Sequence, residues 1–259
     1  MKVRQARLPE NVTFFLFLCI LKPMLTEISS LRHPFVKEFI ELRLEKTART
    51  AAGSLPLIGE KMIRELSSKV TLKTLITTEP SDIRAQKKII VTPEILKKMT
   101  GLPSPDGYAA IAPLPQPQPL TKCQRLLILD GLSDPGNLGT LLRTALALKW
   151  DGVLFTPGTV DPFNDKALRA SKGALFFLPF SYEISDLPSK IYVADLDGMP
   201  LSKLEAKPPF ALILSNEGSG PSEWAEKIAE KVSIPMHNEV ESLNVAASGS
   251  IFLYAMGPS

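Results

Sequence analysis

Cysteine and histidine are scarce in this 259-residue chain, which holds two of each. Cys19 and Cys123 are too few for a disulfide framework or a cysteine-based metal cluster. Such low cysteine usage is typical of a protein in a reducing compartment, so we expect a cytoplasmic location. Two histidines also argue against a histidine-rich metal site, and we expect no metal cofactor.

Long apolar segments are also missing. The apolar run at residues 14–21 follows Lys2, Arg4 and Arg7 and is too short to span a bilayer, so no membrane partner is expected. The run resembles a short signal peptide, but no small-residue cleavage site follows it. We interpret residues 1–23 as a non-native or disordered extension ahead of the natural start at Met24, and the alternative is a signal or membrane anchor.

The common nucleotide-binding signatures are absent as well. The sequence contains neither a Gly-x-Gly-x-x-Gly fingerprint nor a phosphate-loop lysine motif, which argues against dinucleotide and nucleoside triphosphate binding. What the chain has is 44% hydrophobic and 22% charged residues, a composition typical of a globular protein with a substantial core. Its length fits one large domain or two smaller ones.

Charge is distributed unevenly along the chain. The net charge is only +3, but residues 24–100 carry an excess of basic residues and residues 101–259 an excess of acidic ones. A polyanionic partner would therefore be held mainly by the N-terminal half. The alternative is ordinary solvated surface charge.

The hydrophobic pattern divides the chain into two α/β regions joined by a proline-rich segment. The first region, residues 24–111, has helical spacing at 34–45, 60–67 and 93–99 and short strands at 74–77 and 88–91. The segment "APLPQPQPLTK", residues 112–122, contains four prolines, which disfavour a helix and indicate a linker. The second region, residues 123–259, alternates strands at 126–129, 153–155, 191–194, 211–214 and 232–234 with helices at 138–148, 164–171, 221–230 and 243–256.

Short apolar strands separated by helices predict a parallel sheet that is covered on both faces. Ligands of such sheets bind beyond the carboxyl ends of the strands. Three polar loops lie at these predicted ends: "DGLSDPGNLGTLLRTA" (130–145), "LSNEGSGPSE" (214–223) and "HNEVESLNVAAS" (237–248). Taken singly, each has a simple alternative: Asn137 can be a helix cap, Arg143 can pair with a surface carboxylate, and the glycines can form a plain turn.

Taken together, these loops resemble a known family. The segments "NLGTLLRTA", "LSNEGSG" and "IPMHNEVESLNVAAS", in this order and after strands, resemble the three motifs of the SpoU (TrmH-type) family of RNA 2′-O-ribose methyltransferases, in the SPOUT superfamily. The intervening "KALRASKGALFFLPF" is similar to the family's link between the first two motifs. The N-terminal "ISSLRHPFVKEFIELRLEKTART" and "LIGEKMIREL" are similar to its substrate-binding domain.

The resemblance implies a fold, a cofactor and an assembly. It implies a C-terminal α/β domain with a mostly parallel sheet tied in a trefoil knot, and a smaller N-terminal α/β/α domain that holds RNA. It also implies S-adenosyl-L-methionine as cofactor and a homodimer in which each site is completed by the partner subunit.

The resemblance also implies roles for individual residues. Those expected around the reacting 2′-hydroxyl are Asn137, Arg143, Glu217, Ser242 and Asn244. Those expected at the cofactor are Leu214, Asn216, Gly218, Gly220, Ile234, Met236 and Leu243. Those expected to hold RNA, from the basic N-terminal region, are Arg43, Lys46 and Arg49. Asn238 stands where many members of the family have glycine, and His237 is interpreted as a variable residue at the rim, with a proton acceptor as the alternative reading.

We therefore expect an S-adenosylmethionine-dependent RNA 2′-O-ribose methyltransferase that acts on ribosomal RNA. The alternatives are a transfer RNA 2′-O-methyltransferase, a methyltransferase of another substrate, and a non-catalytic RNA-binding protein with the same fold.

Overall fold

The computed structural model describes residues 25–185, 187–216, 218, 220–237, 239 and 241–258. The predicted extension, residues 1–23, lies outside them. The chain divides into two compact units. One comprises Ile58–Ala112 together with the chain up to Lys37, and the other comprises Glu38–Leu57 together with Pro113–Ser259. The segment Glu38–Leu57 thus groups with the C-terminal part of the chain, although it precedes the predicted linker.

The first sheet has five strands in the order β1-β4-β3-β5-β2. Strand β3 pairs parallel with β4 and antiparallel with β5. A clear capping signal opens the last helix before β5, because the side chain of Thr92 accepts a hydrogen bond from Ile95 N and Pro93 occupies the first turn. The elements up to the linker are β1 (Leu25–Ile28), α1 (Pro34–Leu44), α2 (Lys46–Ala52), β2 (Ser54–Ile58), α3 (Glu60–Ser67), β3 (Leu72–Thr77), β4 (Ala85–Val91), α4 (Pro93–Thr100) and β5 (Tyr108–Pro113).

The proline-rich segment follows β5 directly. Pro113 is the last residue of that strand, and residues 114–120 have no regular secondary structure. The segment is held by backbone hydrogen bonds, from Leu114 N to Gly53 O at 3.2 Å and from Gln118 N to Phe180 O at 2.8 Å.

The second sheet has six strands in the order β11-β9-β10-β6-β7-β8, and its pairings are parallel. The central strands are buried apolar runs, as the sequence predicted for a sheet covered on both faces. The elements after the linker are β6 (Arg125–Asp130), α5 (Pro135–Ala147), β7 (Gly152–Phe155), α6 (Asp165–Ser171), β8 (Phe180–Ser181), β9 (Lys190–Pro200), β10 (Phe210–Ser215), α7 (Glu223–Ile228), β11 (Glu230–Ser233) and α8 (Val245–Ala255).

Strand β9 contains an irregular excursion. Lys231 of β11 pairs with Val193, but the next residue, Val232, pairs with Met199, so residues 194–198 of β9 have no partner in β11. Gly198 is packed against β11, because a Cβ atom there would lie 2.5 Å from the carbonyl carbon of Lys231. The Ser233 hydroxyl also donates to Gly198 O at 3.0 Å. This excursion lies at the carboxyl end of the buried part of β9.

Candidate functional site

A cavity of about 200 Å³ lies at the carboxyl ends of β10 and β11 and beside the excursion of β9. The predicted position of a ligand site, beyond the carboxyl ends of parallel strands, is therefore occupied by a cavity. Seven of the residues predicted from the sequence line it. They are Leu214, Asn216, Gly220, Ile234, Met236, Ser242 and Leu243.

The loop after β10 is closed by its own hydrogen bonds. Gly220 N donates to Asn216 O at 2.9 Å, and Gly218 N donates to Asn216 Oδ1 at 3.1 Å. Gly220 has a φ of 67°, which favours glycine at this position. The Asn216 amide nitrogen donates to Ser133 Oγ at 3.1 Å, so Asn216 joins this loop to the loop after β6. Gly218 belongs to the same turn, and Glu217 lies outside the described residues.

A buried carboxylate, which the sequence reasoning missed, supports the same loop. Asp130 ends β6 and is only 5% exposed. It accepts hydrogen bonds from Thr156 Oγ1 at 2.9 Å, Ser215 Oγ at 3.2 Å and Ser222 N at 2.9 Å. Because these donors come from three separate segments, Asp130 ties the ends of β6, β7 and β10 together. The signal in the sequence is an acidic residue directly after four apolar ones.

Helix α5 begins at Pro135 and is capped by Asp134. The Asp134 carboxylate accepts a hydrogen bond from Asn137 N at 2.7 Å, so the possible capping role of Asn137 is corrected: Asn137 lies inside the first turn. The hydrogen bond from Lys166 and that from the Asn137 amide hold the pKa of Asp134 below its usual value. Asn137 is partly exposed, and Arg143, six residues further along α5, is exposed.

Two of the predicted catalytic residues meet within one chain. Asn244 caps α8, and its Oδ1 accepts hydrogen bonds from Ala246 N at 3.0 Å and Ala247 N at 3.4 Å. Because the amide oxygen faces the helix backbone, the amide nitrogen faces Asn137 and donates to its Oδ1 at 3.2 Å. Ser242 lies two residues before Asn244 and lines the cavity. The first and third sequence motifs therefore converge beside the cavity, whereas the described lining does not include Arg143.

The three residues predicted to hold RNA have internal partners in the unit that contains the cavity. Arg49 is 2% exposed, donates to Leu42 O at 2.9 Å and forms an ion pair with Asp161. Arg43 pairs with Asp165 at 3.5 Å. Lys46 is exposed and lies over the ring of Tyr182, 5.6 Å from its centroid.

The burial of Arg49 shows a structural role that the sequence-based interpretation did not include. The sequence showed three basic residues at helical spacing, but it did not show the acidic residues that meet two of them. The structure gives Arg49 an internal ion pair with Asp161, and a contact of Arg49 with RNA stays a prediction.

The excursion of β9 contributes a wall of the cavity that the sequence reasoning also missed. Ala194, Asp195 and Leu196 line the cavity. Lys231 Nζ lies 2.9 Å from the Asp195 carboxylate, which also accepts a hydrogen bond from Asp197 N at 3.0 Å. Burial, the largest effect, raises the pKa of Asp195, but the hydrogen bonds from the Asp197 amide and from Lys231 outweigh it and leave the pKa below its usual value.

The described residues contain no cluster of three or more histidine, cysteine, aspartate or glutamate side chains that could hold a metal ion. The described helices are too short or too polar to cross a lipid bilayer.

Comparison with known proteins agrees with this geometry. Residues 124–254 match the SpoU rRNA Methylase family. The 23S rRNA (guanosine(2553)-2′-O)-methyltransferase RlmP of Bacillus subtilis is 31% identical over 244 residues, which cover 88% of this chain and 98% of that protein. The 23S rRNA (adenosine(1067)-2′-O)-methyltransferase of Streptomyces azureus is 33% identical over 141 residues, which cover 50% of this chain and 52% of that protein.

A solved structure is similar over almost the whole chain. It is the crystal structure of an AdoMet-bound rRNA methyltransferase from Sinorhizobium meliloti, with a TM-score of 0.79 and 25% sequence identity. The similarity covers 90% of this chain and 97% of that chain. The fold, the cavity at its strand ends and these relatives together define an RNA methyltransferase of the α/β class. The chain belongs to the SpoU rRNA Methylase family.

Proposed function

We propose that this protein transfers a methyl group from S-adenosylmethionine to a ribose 2′-hydroxyl of ribosomal RNA. The observation that carries the proposal is the convergence of the three motif loops. The cavity is lined by six of the seven predicted cofactor residues, and the Asn137–Asn244 pair lies beside it. The relatives from B. subtilis and S. azureus are both named as 23S rRNA 2′-O-methyltransferases, which favours ribosomal RNA over transfer RNA.

The lining of the cavity fits an adenosine-containing cofactor. Leu214, Ile234, Met236 and Leu243 offer apolar surface to a purine, and the neighbouring polar groups can fix its orientation. S-adenosylmethionine, when bound, supplies an electrophilic methyl group. The remaining task of the chain is to hold donor and acceptor in line and to assist loss of the hydroxyl proton.

The polar residues beside the cavity have separate roles in positioning the substrate and stabilising the reacting hydroxyl. Asn244, fixed by the N-terminus of α8, orients the amide of Asn137, and Ser242 faces the ribose with them. A guanidinium is always charged in proteins, so Arg143 is not a simple base. Its role in the proposal is to hold the adjacent phosphate and stabilise the developing alkoxide.

The proposal includes a homodimer in which Arg143 serves the cavity of the partner subunit. Arg143 is exposed on α5, which packs against α8. Helix α8 also exposes two large apolar side chains, Ile251 at 44% and Tyr254 at 78%, three residues apart and therefore on one side of the helix. A second copy of the chain would cover this side.

A knotted backbone, a cytoplasmic location and an N-terminal RNA-binding domain are parts of the same proposal, and Lys46 is the exposed member of the predicted RNA-binding set.

Two measurements test the proposal. Isothermal titration with S-adenosylmethionine should give one binding event per chain, and methyl-labelled cofactor should then label total RNA. A non-catalytic RNA-binding protein would leave the RNA unlabelled. A methyltransferase of another substrate class would bind the cofactor but transfer label to protein or small molecules.

A further inference from the structure

The wall of the cavity formed by β9 contains one carboxylate, that of Asp195. Among the described residues that line the cavity, Asp195 alone has an ionisable side chain. Its side chain is 13% exposed, and its ion-pair partner Lys231 is 40% exposed. The simplest explanation is structural, because the ion pair and the packing of Gly198 fasten the excursion to β11.

A purely structural role leaves the position of Asp195 unexplained. Lys231, the Asp197 amide and the Leu196 amide provide three donors, whereas the two carboxylate oxygens together have about four acceptor sites. Acceptor capacity therefore remains on a carboxylate in the wall of a largely apolar cavity. A ligand that fills the cavity has to provide hydroxyl or amine donors on this side.

The strand order shows which part of a cofactor lies near Asp195. Asn137 follows β6, and Asp195 lies on β9, two strands away across β10. Two interstrand spacings amount to about 10 Å. Because the methyl group has to lie near Asn137 and Asn244, the part of the cofactor near Asp195 is the adenosine and not the sulfonium. The donors of adenosine are the exocyclic amine of its adenine and the two hydroxyl groups of its ribose, and the adjacent hydroxyls are the pair that the two oxygens of one carboxylate can hold together.

We propose that Asp195 accepts hydrogen bonds from the ribose hydroxyls of the bound cofactor. This inference rests on the proposed function, since it takes the ligand to be an S-adenosyl compound. Lys231 keeps the carboxylate ionised and aligned, and the excursion of β9 places it in the wall of the cavity. Acidic residues at the ends of strands hold ribose hydroxyls in the same chemical manner in dinucleotide-binding folds.

The inference is tested by removing the donor, a ribose hydroxyl of the ligand, and the acceptor, the carboxylate of Asp195, separately and together. S-adenosylhomocysteine and its 2′-deoxy and 3′-deoxy counterparts are titrated by calorimetry into the wild-type protein, into Asp195→Ala and into Asp197→Ala. Asp197 is a matched control, because it is exposed in the same excursion and is not in the described lining of the cavity. In the wild type and in Asp197→Ala, loss of a ribose hydroxyl should raise Kd about tenfold or more, as expected for a hydrogen bond to a charged group. In Asp195→Ala, S-adenosylhomocysteine itself should bind about as weakly as its deoxy counterparts bind to the wild type. Loss of a ribose hydroxyl should then change Kd less than about threefold.

The outcomes separate the inference from the function on which it rests. If the wild type does not bind S-adenosylhomocysteine or S-adenosylmethionine, the proposed function fails and the inference fails with it. If the wild type binds but neither hydroxyl affects Kd, or if a hydroxyl has the same effect in Asp195→Ala, Asp195 does not hold the ribose and the proposed function stands. Asp195→Leu, which is close to aspartate in size and has no polar atom, replaces Asp195→Ala if the thermal midpoint shows that the alanine variant is unfolded.

Discussion

Asn244 has two functions that one substitution can separate. It caps α8 through its amide oxygen and orients Asn137 through its amide nitrogen. Aspartate caps helices about as well as asparagine, but a carboxylate has no N–H to donate. We therefore predict that Asn244→Asp keeps the unfolding free energy within about 0.5 kcal/mol of wild type and loses methyl transfer at saturating S-adenosylmethionine.

Urea unfolding and initial rates measure the two effects of this change. Asn244→Ala serves as the comparison, because it should lose both the transfer activity and about 1 kcal/mol of stability, the usual contribution of a cap. Wild-type activity in Asn244→Asp would contradict the orienting role.

Arg49 tests whether a basic residue of the N-terminal region acts on folding or on RNA. Arg49→Met leaves Asp161, whose side chain is 16% exposed, without its ion-pair partner. Because a buried pair is strongly destabilised when one member is removed, we expect a loss of about 3 kcal/mol in the free energy of unfolding. The same change at Arg64, whose side chain is 47% exposed, should have a much smaller effect on the unfolding midpoint.

The RNA side of this prediction is the salt dependence of binding. Arg49→Met should leave the slope of log K against log salt unchanged, because a buried guanidinium releases no counterion from a phosphate. A flatter slope together with unchanged stability would contradict the internal role.

At the residue scale, the sequence predicted which side chains surround the cavity better than it predicted their local partners. The segment "SDPGN" contains three good capping residues, Ser133, Asp134 and Asn137, and Pro135 at the first helical position selects Asp134 as the cap. Asp130 and Asp195 were missed because a single acidic residue after an apolar strand has the same appearance in the sequence as an ordinary strand end.

At the element scale, the close packing of α5 on α6 positions two of the predicted catalytic residues. A Cβ atom on Gly139 would lie 2.5 Å from Ala167 O and 2.5 Å from Ala170 Cβ. Gly139→Ala should therefore push α5, which carries Asn137 and Arg143, away from α6. Overpacking of this kind costs about 1–3 kcal/mol, and we expect that loss of stability together with reduced transfer activity.

The neighbouring position supplies the control for Gly139→Ala. Thr140 is exposed on the same helix and its hydroxyl donates to Gly136 O, so Thr140→Ala should stay within about 0.5 kcal/mol of wild type. Thermal unfolding and initial rates of both variants check the prediction. A Gly139→Ala variant as stable and active as Thr140→Ala would show that the gap between the helices is not needed.

The predicted helices and strands of the C-terminal region are present, because each combines a hydrophobic period with end signals. The elements that were not predicted lack this combination. Strand β2, "SLPLI", contains a proline and lies at the edge of its sheet, where a missing N–H is tolerated. The excursion of β9 depends on Gly198 packing against β11, a tertiary contact that has no local sequence signature.

At the scale of the whole molecule, the proposed dimer predicts complementation between two defective subunits. Arg143→Ala and Asn244→Ala should each be nearly inactive alone. A one-to-one mixture that is dissociated and reassembled gives about half heterodimers. In each heterodimer, one site receives an intact Arg143 from one chain and an intact cavity from the other, so activity should return to roughly a quarter of wild type.

The presence of heterodimers is checked by pull-down with two different tags on the two variants. An inactive mixture that contains heterodimers would mean that Arg143 acts in its own subunit. That result would leave the methyltransferase proposal intact and remove only the shared site.

The most direct test of the central claim is the chemical position of the transferred methyl group. The purified protein is incubated with methyl-labelled S-adenosylmethionine and with RNA from a strain that lacks the protein, and the RNA is then digested to nucleosides. We predict that the label is recovered in a single 2′-O-methylated nucleoside from ribosomal RNA, and that Asn244→Asp abolishes it. Label on a base, or no transfer to RNA by a protein that binds the cofactor, would contradict the account.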